Sequence, residues 1–151
     1  VPIPTLRQIE EDFAILDDWE DRYRYIIELG RELPAFDEAF RTPANKVQGC
    51  ASQVWLKSFV SGGNKGKPRL SFTGDSDALI VRGLIAIAFA LFSGEAAEKI
   101  ARVDAEKELE KLELSEHLTP QRSNGFRSLI ARIKEEARLA LKTQPLAQHG
   151  A

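Results

Sequence analysis

Gln53-Val54-Trp55-Leu56-Lys57-Ser58-Phe59-Val60 is followed by Gly62-Gly63-Asn64-Lys65-Gly66 and then by Leu70-Ser71-Phe72-Thr73. The first stretch is rich in β-branched and aromatic residues, although its alternation is imperfect. The last alternates apolar and polar at period two and reads as a strand. The glycine-rich break between them reads as a flexible hairpin loop. A further short strand is expected at 45–48. A turn containing Cys50 then joins it to the strand that follows. The whole stretch predicts a small three-stranded antiparallel sheet.

Helical patterns surround that sheet. Gly83 to Phe92 is an uncharged apolar run of ten residues, about half of the roughly 20 that span a bilayer. It reads as a fully buried core helix. Asp75-Ser76-Asp77 offers N-cap candidates for that helix, and acidic side chains suit its positive end. Upstream, Leu6, Ile9, Phe13 and Leu16 recur at helical spacing and predict a helix over 5–16. Asp17 with Glu20 resembles a capping box for a second helix. Trp19, Tyr23, Ile26 and Ile27 form its apolar stripe, and Gly30 is its expected C-terminal stop.

Downstream, a helix is expected over Ala96 to Val103. A charged helical stretch follows from Asp104 to Leu114, with Leu109 and Leu112 facing inward. Thr119-Pro120 resembles a helix start. Phe126, Leu129, Ile130, Ile133 and Ala137 then describe a long amphipathic helix that Pro145 is expected to end. A sheet with helices over one face satisfies the two-layer rule. The fold class is therefore α+β, one domain over 1–144 with a flexible tail over 145–151.

Of the 151 residues 43% are hydrophobic, enough for a core, and 29% are charged with both signs interspersed. The formal net charge of −2 argues against nucleic acid as a partner. The single short apolar run argues against a membrane span. One cysteine, and a start without the basic-then-apolar order of a secretory signal, point to a reducing, cytoplasmic setting.

Cys50 is the only cysteine. It cannot form an internal disulfide, a CxxC pair or a thiolate cage for zinc. One reading is buried filler, because free cysteines behave as small hydrophobes. The other is chemistry. Gly49 suggests a tight surface turn, Ala51 and Ser52 leave room for a reacting partner, and turn amides could lower the thiol pKa. His117 is a candidate base for Cys50, or else it caps or packs at a helix end. Asp75 and Asp77 could ligate a metal, but capping suffices to explain them. Arg122 is either a surface arginine or a cation placed near the thiol or at a docking face.

Thr42-Pro43-Ala44-Asn45-Lys46-Val47-Gln48-Gly49-Cys50-Ala51-Ser52-Gln53-Val54-Trp55 resembles the signature of the SufE family of cysteine desulfuration proteins. Further blocks follow in the family's order. They are Trp19-Glu20-Asp21-Arg22-Tyr23 with Tyr25 to Gly30, Gly74-Asp75-Ser76-Asp77-Ala78 with Ile80 to Ala86, and His117 to Gly125. The likeness covers about residues 6–140. Ala51 departs from it, where glutamine is frequent, as does Phe126, where leucine is common.

The resemblance implies the fold of the iron–sulfur scaffold proteins, but with one cysteine where those use three. It implies a sulfur acceptor that takes persulfide onto Cys50 from a pyridoxal-phosphate-dependent cysteine desulfurase and activates that enzyme. The pyridoxal phosphate belongs to the partner, and no cofactor or metal is expected on this chain. An iron–sulfur scaffold complex and a second copy of the chain are further candidate partners. The resemblance also implies a cysteine loop that rests against an apolar pocket and swings out on docking. Arg122 would stabilise thiolate or persulfide or help docking, and Asp75 would position the loop. Val54 and Trp55 are expected to anchor the next strand, with Trp55 in the core. The alternatives are a non-catalytic adaptor with a structural cysteine and a hydrolase built on Cys50 and His117.

Overall fold

The computed structural model describes residues 3–62 and 67–149. Strand β1 (Val54–Ser61) pairs antiparallel with β2 (Arg69–Ser76), Val54 opposite Ser76 and Ser61 opposite Arg69. The hairpin tip at 63–66 lies outside the described residues. Around this ribbon run α1 (Leu6–Ile15), α2 (Trp19–Arg31), α3 (Leu79–Phe92), α4 (Ala97–Arg102), α5 (Ala105–Leu109), α6 (Leu114–His117) and α7 (Pro120–His149). The class is α+β, as expected.

Among the described residues the sheet has two strands, not three. The segment at 45–48 reaches β1 through one isolated bridge, Lys46 opposite Trp55. A 3₁₀ turn at Pro43–Asn45 precedes it and a turn at Gln48-Gly49 follows. The chain is extended there too briefly to build a ladder.

Helix ends follow local chemistry, with two shifts from expectation. Asp18, not Asp17, caps α2, its Oδ1 accepting from the Asp21 amide at 2.9 Å. At α3 the N-cap is Ala78, without a side-chain bond. β2 runs on to Ser76, so Asp75 belongs to the strand, while the Ser76 hydroxyl accepts from the Ala78 amide at 3.2 Å. Thr119 caps α7 as its sequence suggests, accepting from the Arg122 amide at 3.3 Å. That last helix continues past Pro145 to His149. A proline withholds one amide, which weakens a helix without compelling the chain out of it.

α3 is the centre of the core. Ile85, Ala86, Ile87 and Ala88 are wholly buried, as befits the uncharged apolar run from Gly83 to Phe92. Gly30 lies inside α2 rather than ending it. It faces Gly83 of α3: a Cβ on Gly83 would stand 2.0 Å from the Ile26 carbonyl oxygen, and one on Gly30 2.6 Å from the Gly83 nitrogen. These two glycines let the backbones of α2 and α3 touch.

Trp55 is not a core residue. Val54 and Leu56 are buried, at 1% and 2% exposure, so the period of two turns Trp55 to the other face. There it is half-buried, with the Arg41 guanidinium 4.8 Å from its ring centre. Trp55→Ala is accordingly expected to cost less than Leu56→Ala, which should lie in the range of about 2–5 kcal/mol for a buried leucine. Denaturant melts of the two variants check the order.

Candidate functional site

Cys50 sits between the Lys46 bridge and β1. Both ends of its loop are tied down. Upstream, the Val47 amide donates to the Val54 carbonyl at 2.8 Å, and Arg132 of α7 donates to the carbonyls of Ala44 and Lys46. Downstream, the Gln53 amide donates to Asp77 Oδ1 at 3.1 Å, while the Asp77 amide donates to the Gln53 carbonyl at 3.4 Å. By its sequence position Asp77 suits helix capping. In the fold it closes the loop across the end of the hairpin.

Gly49 sets the path between those anchors. Its φ of +88° lies in the left-handed region, and a Cβ there would stand 2.5 Å from Ser128 Oγ on α7. Glycine is needed for both reasons: the conformation is unfavourable for other residues, and the helix leaves no room.

The Cys50 side chain is half-buried in a cavity of about 260 Å³ between the loop, α3 and the first turns of α7. Val81, Leu84, Phe126 and Leu129 give it apolar walls. Ser52, Thr119 and Arg122 are polar residues of the same lining. The space is several times the roughly 30 Å³ that a water occupies in the liquid. It has room for an atom beyond the thiol. The fold thus brings Arg122, exposed on α7, to the same cavity as Cys50 although 72 positions separate them in sequence (122 − 50).

The thiol's environment favours its protonated form. Sγ is 3.5 Å from the Gly125 carbonyl, to which S–H donates. Burial pushes the Cys50 pKa up, because desolvation disfavours the thiolate. The lowering anticipated from turn amides is not what the loop produces. A raised pKa delays thiolate formation to higher pH. Alkylation of free Cys50 by iodoacetamide is therefore expected to run slower at neutral pH than that of a model cysteine thiol. Its rate should rise with pH to a midpoint above the ordinary value of about 8.5. A midpoint at or below that value would show an unsheltered thiol.

Asp75 stands elsewhere. It lies opposite Trp55 in the ladder and is held by Arg41 at 2.5 Å and by Arg82 at 3.3 Å. It does not line the thiol cavity. Its carboxylate joins the outer face of the hairpin to the start of α3, and Asp77 makes the direct contact with the cysteine loop. His117 also lies apart from the cavity lining. Its ring stacks on Trp19 with centroids 4.0 Å apart, and its carbonyl accepts from the Tyr23 hydroxyl. That is the packing role at a helix end, and a Cys50–His117 hydrolytic pair has no support in this geometry.

Residues 7–137 match the family model for SufE, described as an Fe–S metabolism associated domain. The chain belongs to the SufE family. An uncharacterized SufE-like protein of Rhizobium meliloti is 58% identical over 133 residues, 88% of this chain and 94% of that protein. A second, from Rhizobium etli, is 57% identical over 135 residues, 89% of this chain and 90% of the relative. A solution structure of a hypothetical protein from Thermus thermophilus superposes with a TM-score of 0.70 at 24% identity, covering 94% of this chain and 99% of that one. That likeness is one of fold. Membership of the SufE family gives the chain a role in Fe–S metabolism. Among the described residues no helix is long and apolar enough to cross a membrane.

Proposed function

We propose that this SufE-family chain accepts sulfur as a persulfide on Cys50 from a pyridoxal-phosphate-dependent cysteine desulfurase. In doing so it stimulates that enzyme, and it passes the sulfur on for iron–sulfur cluster assembly. One observation carries the reading: the chain's single thiol is held at a loop tip, in a small cavity that Arg122 also lines.

The chemistry is an exchange at divalent sulfur. The desulfurase carries the sulfur as the outer atom of a persulfide on its own cysteine. Cys50, as thiolate, attacks that outer sulfur. A sulfur–sulfur bond forms to Cys50 as the one to the enzyme's cysteine breaks, and the enzyme's thiolate leaves. The sulfur that moves keeps its oxidation level, so no oxidant or reductant enters.

The resting loop suits the carrying half of this task. Apolar walls limit the contact of a persulfide with water and reductant, and the guanidinium of Arg122 offsets its charge. Accepting sulfur requires the loop to leave the cavity. Exposure removes the desolvation that keeps the thiol protonated. Asp75, two positions before the loop's downstream anchor Asp77, contributes by holding Arg41 and Arg82.

The test is the intact mass of the chain after incubation with the cysteine desulfurase of the same organism, pyridoxal phosphate and L-cysteine, without reductant. A gain of one or more sulfur atoms is expected, together with faster release of alanine by the desulfurase. No mass gain from a desulfurase that turns over and binds the chain would overturn the reading.

A further inference from the structure

Two concavities flank the start of α7. One holds Cys50. The other is a groove of about 470 Å³ between the 105–118 segment and the adjoining side of α7. Its apolar lining includes Leu109, Leu114, Leu118 and Ile130. Around it stand Asp104, Glu106, Glu110, Glu113 and Glu116, against the cations Lys107 and Arg127. The whole chain carries a net charge of only −2, so this is a local concentration of acid.

Some of those carboxylates are occupied within the fold. Asp104 caps α5 by accepting from the Lys107 amide at 3.2 Å, Glu106 lies 3.8 Å from Arg127, and Glu113 lies 3.7 Å from Arg22. Glu110 and Glu116 are exposed and have no ion-pair partner among the described residues. Apolar surface beneath free carboxylates is the complement of a lysine or arginine side chain. The aliphatic stem lies on leucine while the cation meets the rim. Neither an acidic segment nor a purely apolar one suits both parts.

The groove also adjoins the thiol. Phe126 lines both concavities, so an occupant of the groove meets a residue that also walls the cavity of Cys50. A partner anchored there is already beside the cysteine loop.

We infer that this groove docks a lysine- or arginine-bearing segment of the desulfurase that meets Cys50. The identity of the partner rests on the sulfur-transfer reading, and the place and chemistry of docking go beyond it. Glu110 and Glu116 act by steering and holding the partner and take no part in the exchange at sulfur.

The test titrates the pyridoxal-phosphate cysteine desulfurase of the same organism with the parent chain and with Glu110→Lys/Glu116→Lys, by calorimetry at low and moderate salt. Glu28→Lys/Glu135→Lys makes the same change of net charge away from the groove, and thermal melts show that each variant is folded. The groove variant is expected to bind about tenfold more weakly at low salt, a difference that salt narrows, while the control stays within about twofold of the parent. Binding by the groove variant within about twofold of the parent, or equal weakening by the control, would overturn the groove while leaving sulfur transfer standing. A parent chain that neither binds the desulfurase nor gains sulfur from it would remove both.

Discussion

Cys50→Ser is expected to abolish sulfur uptake while leaving the fold intact. A serine hydroxyl cannot form the sulfur–sulfur bond, and the chain holds no second cysteine to take over. The loss should therefore be complete, with no mass gain at any desulfurase concentration. Stimulation of the desulfurase should fall to its basal rate. Stability should barely change, because serine nearly matches cysteine in shape and its hydroxyl can donate to the same Gly125 carbonyl that the thiol uses. A cost of about 1 kcal/mol or less, roughly 2–4 °C in Tm for a chain of this size, is the expected ceiling. Sulfur uptake by the serine variant would place the acceptor outside Cys50. A collapse of Tm would instead make the cysteine structural, as the adaptor reading requires.

The resting loop is ill-suited to a nucleophile, since it shelters the thiol and raises its pKa. The conflict resolves if the loop has two positions with opposite requirements. On the sulfur-transfer reading, a carried persulfide needs an apolar wall and a counter-charge, the roles proposed for the cavity walls and Arg122. An attacking thiolate needs water or a partner's polar groups, which the cavity denies. Between the upstream anchors at 44–47 and β1, the contacts that hold the loop in include the Sγ–Gly125 bond, the close approach of Gly49 to Ser128, and the paired bonds between Gln53 and Asp77. The hydrogen bonds among them are ones a docked partner replaces at modest cost.

Much of this was readable from residue spacing. The apolar run at 83–92 had to be a buried helix, and the Thr119-Pro120 start and the 126–137 stripe placed α7. Cys50 and Arg122 stood out as candidates from the sequence. What stayed hidden depends on register and on contacts far apart in sequence. One residue of strand phase moves Trp55 from core to outer face, and imperfect alternation in β1 left that phase open. Asp77 looked like one more helix cap, because the amide it accepts from belongs to Gln53, 24 positions earlier. Gly30 looked like a stop signal, because only the crossing of α2 over α3 shows why a side chain is excluded there.

That crossing carries the second large effect. Gly83→Ala is expected to destabilise the protein by about 3 kcal/mol or more, near the upper end for overpacked cores. Alanine's helix propensity favours the substitution by roughly 1 kcal/mol, so the sign depends on whether the helices can separate. A Cβ at 2.0 Å from the Ile26 carbonyl oxygen and 2.4 Å from the Ile26 side chain cannot be accommodated by a rotamer change. The obstacle is backbone, and α2 must move as a unit. Tm should fall by about 6–12 °C. The movement should also reach the thiol, because Val81 and Leu84 of α3 line its cavity. Iodoacetamide should then alkylate Cys50 faster at neutral pH in the folded Gly83→Ala protein than in the parent. An unchanged Tm would mean that α2 and α3 separate freely, and that the paired glycines do not hold the cavity wall in place.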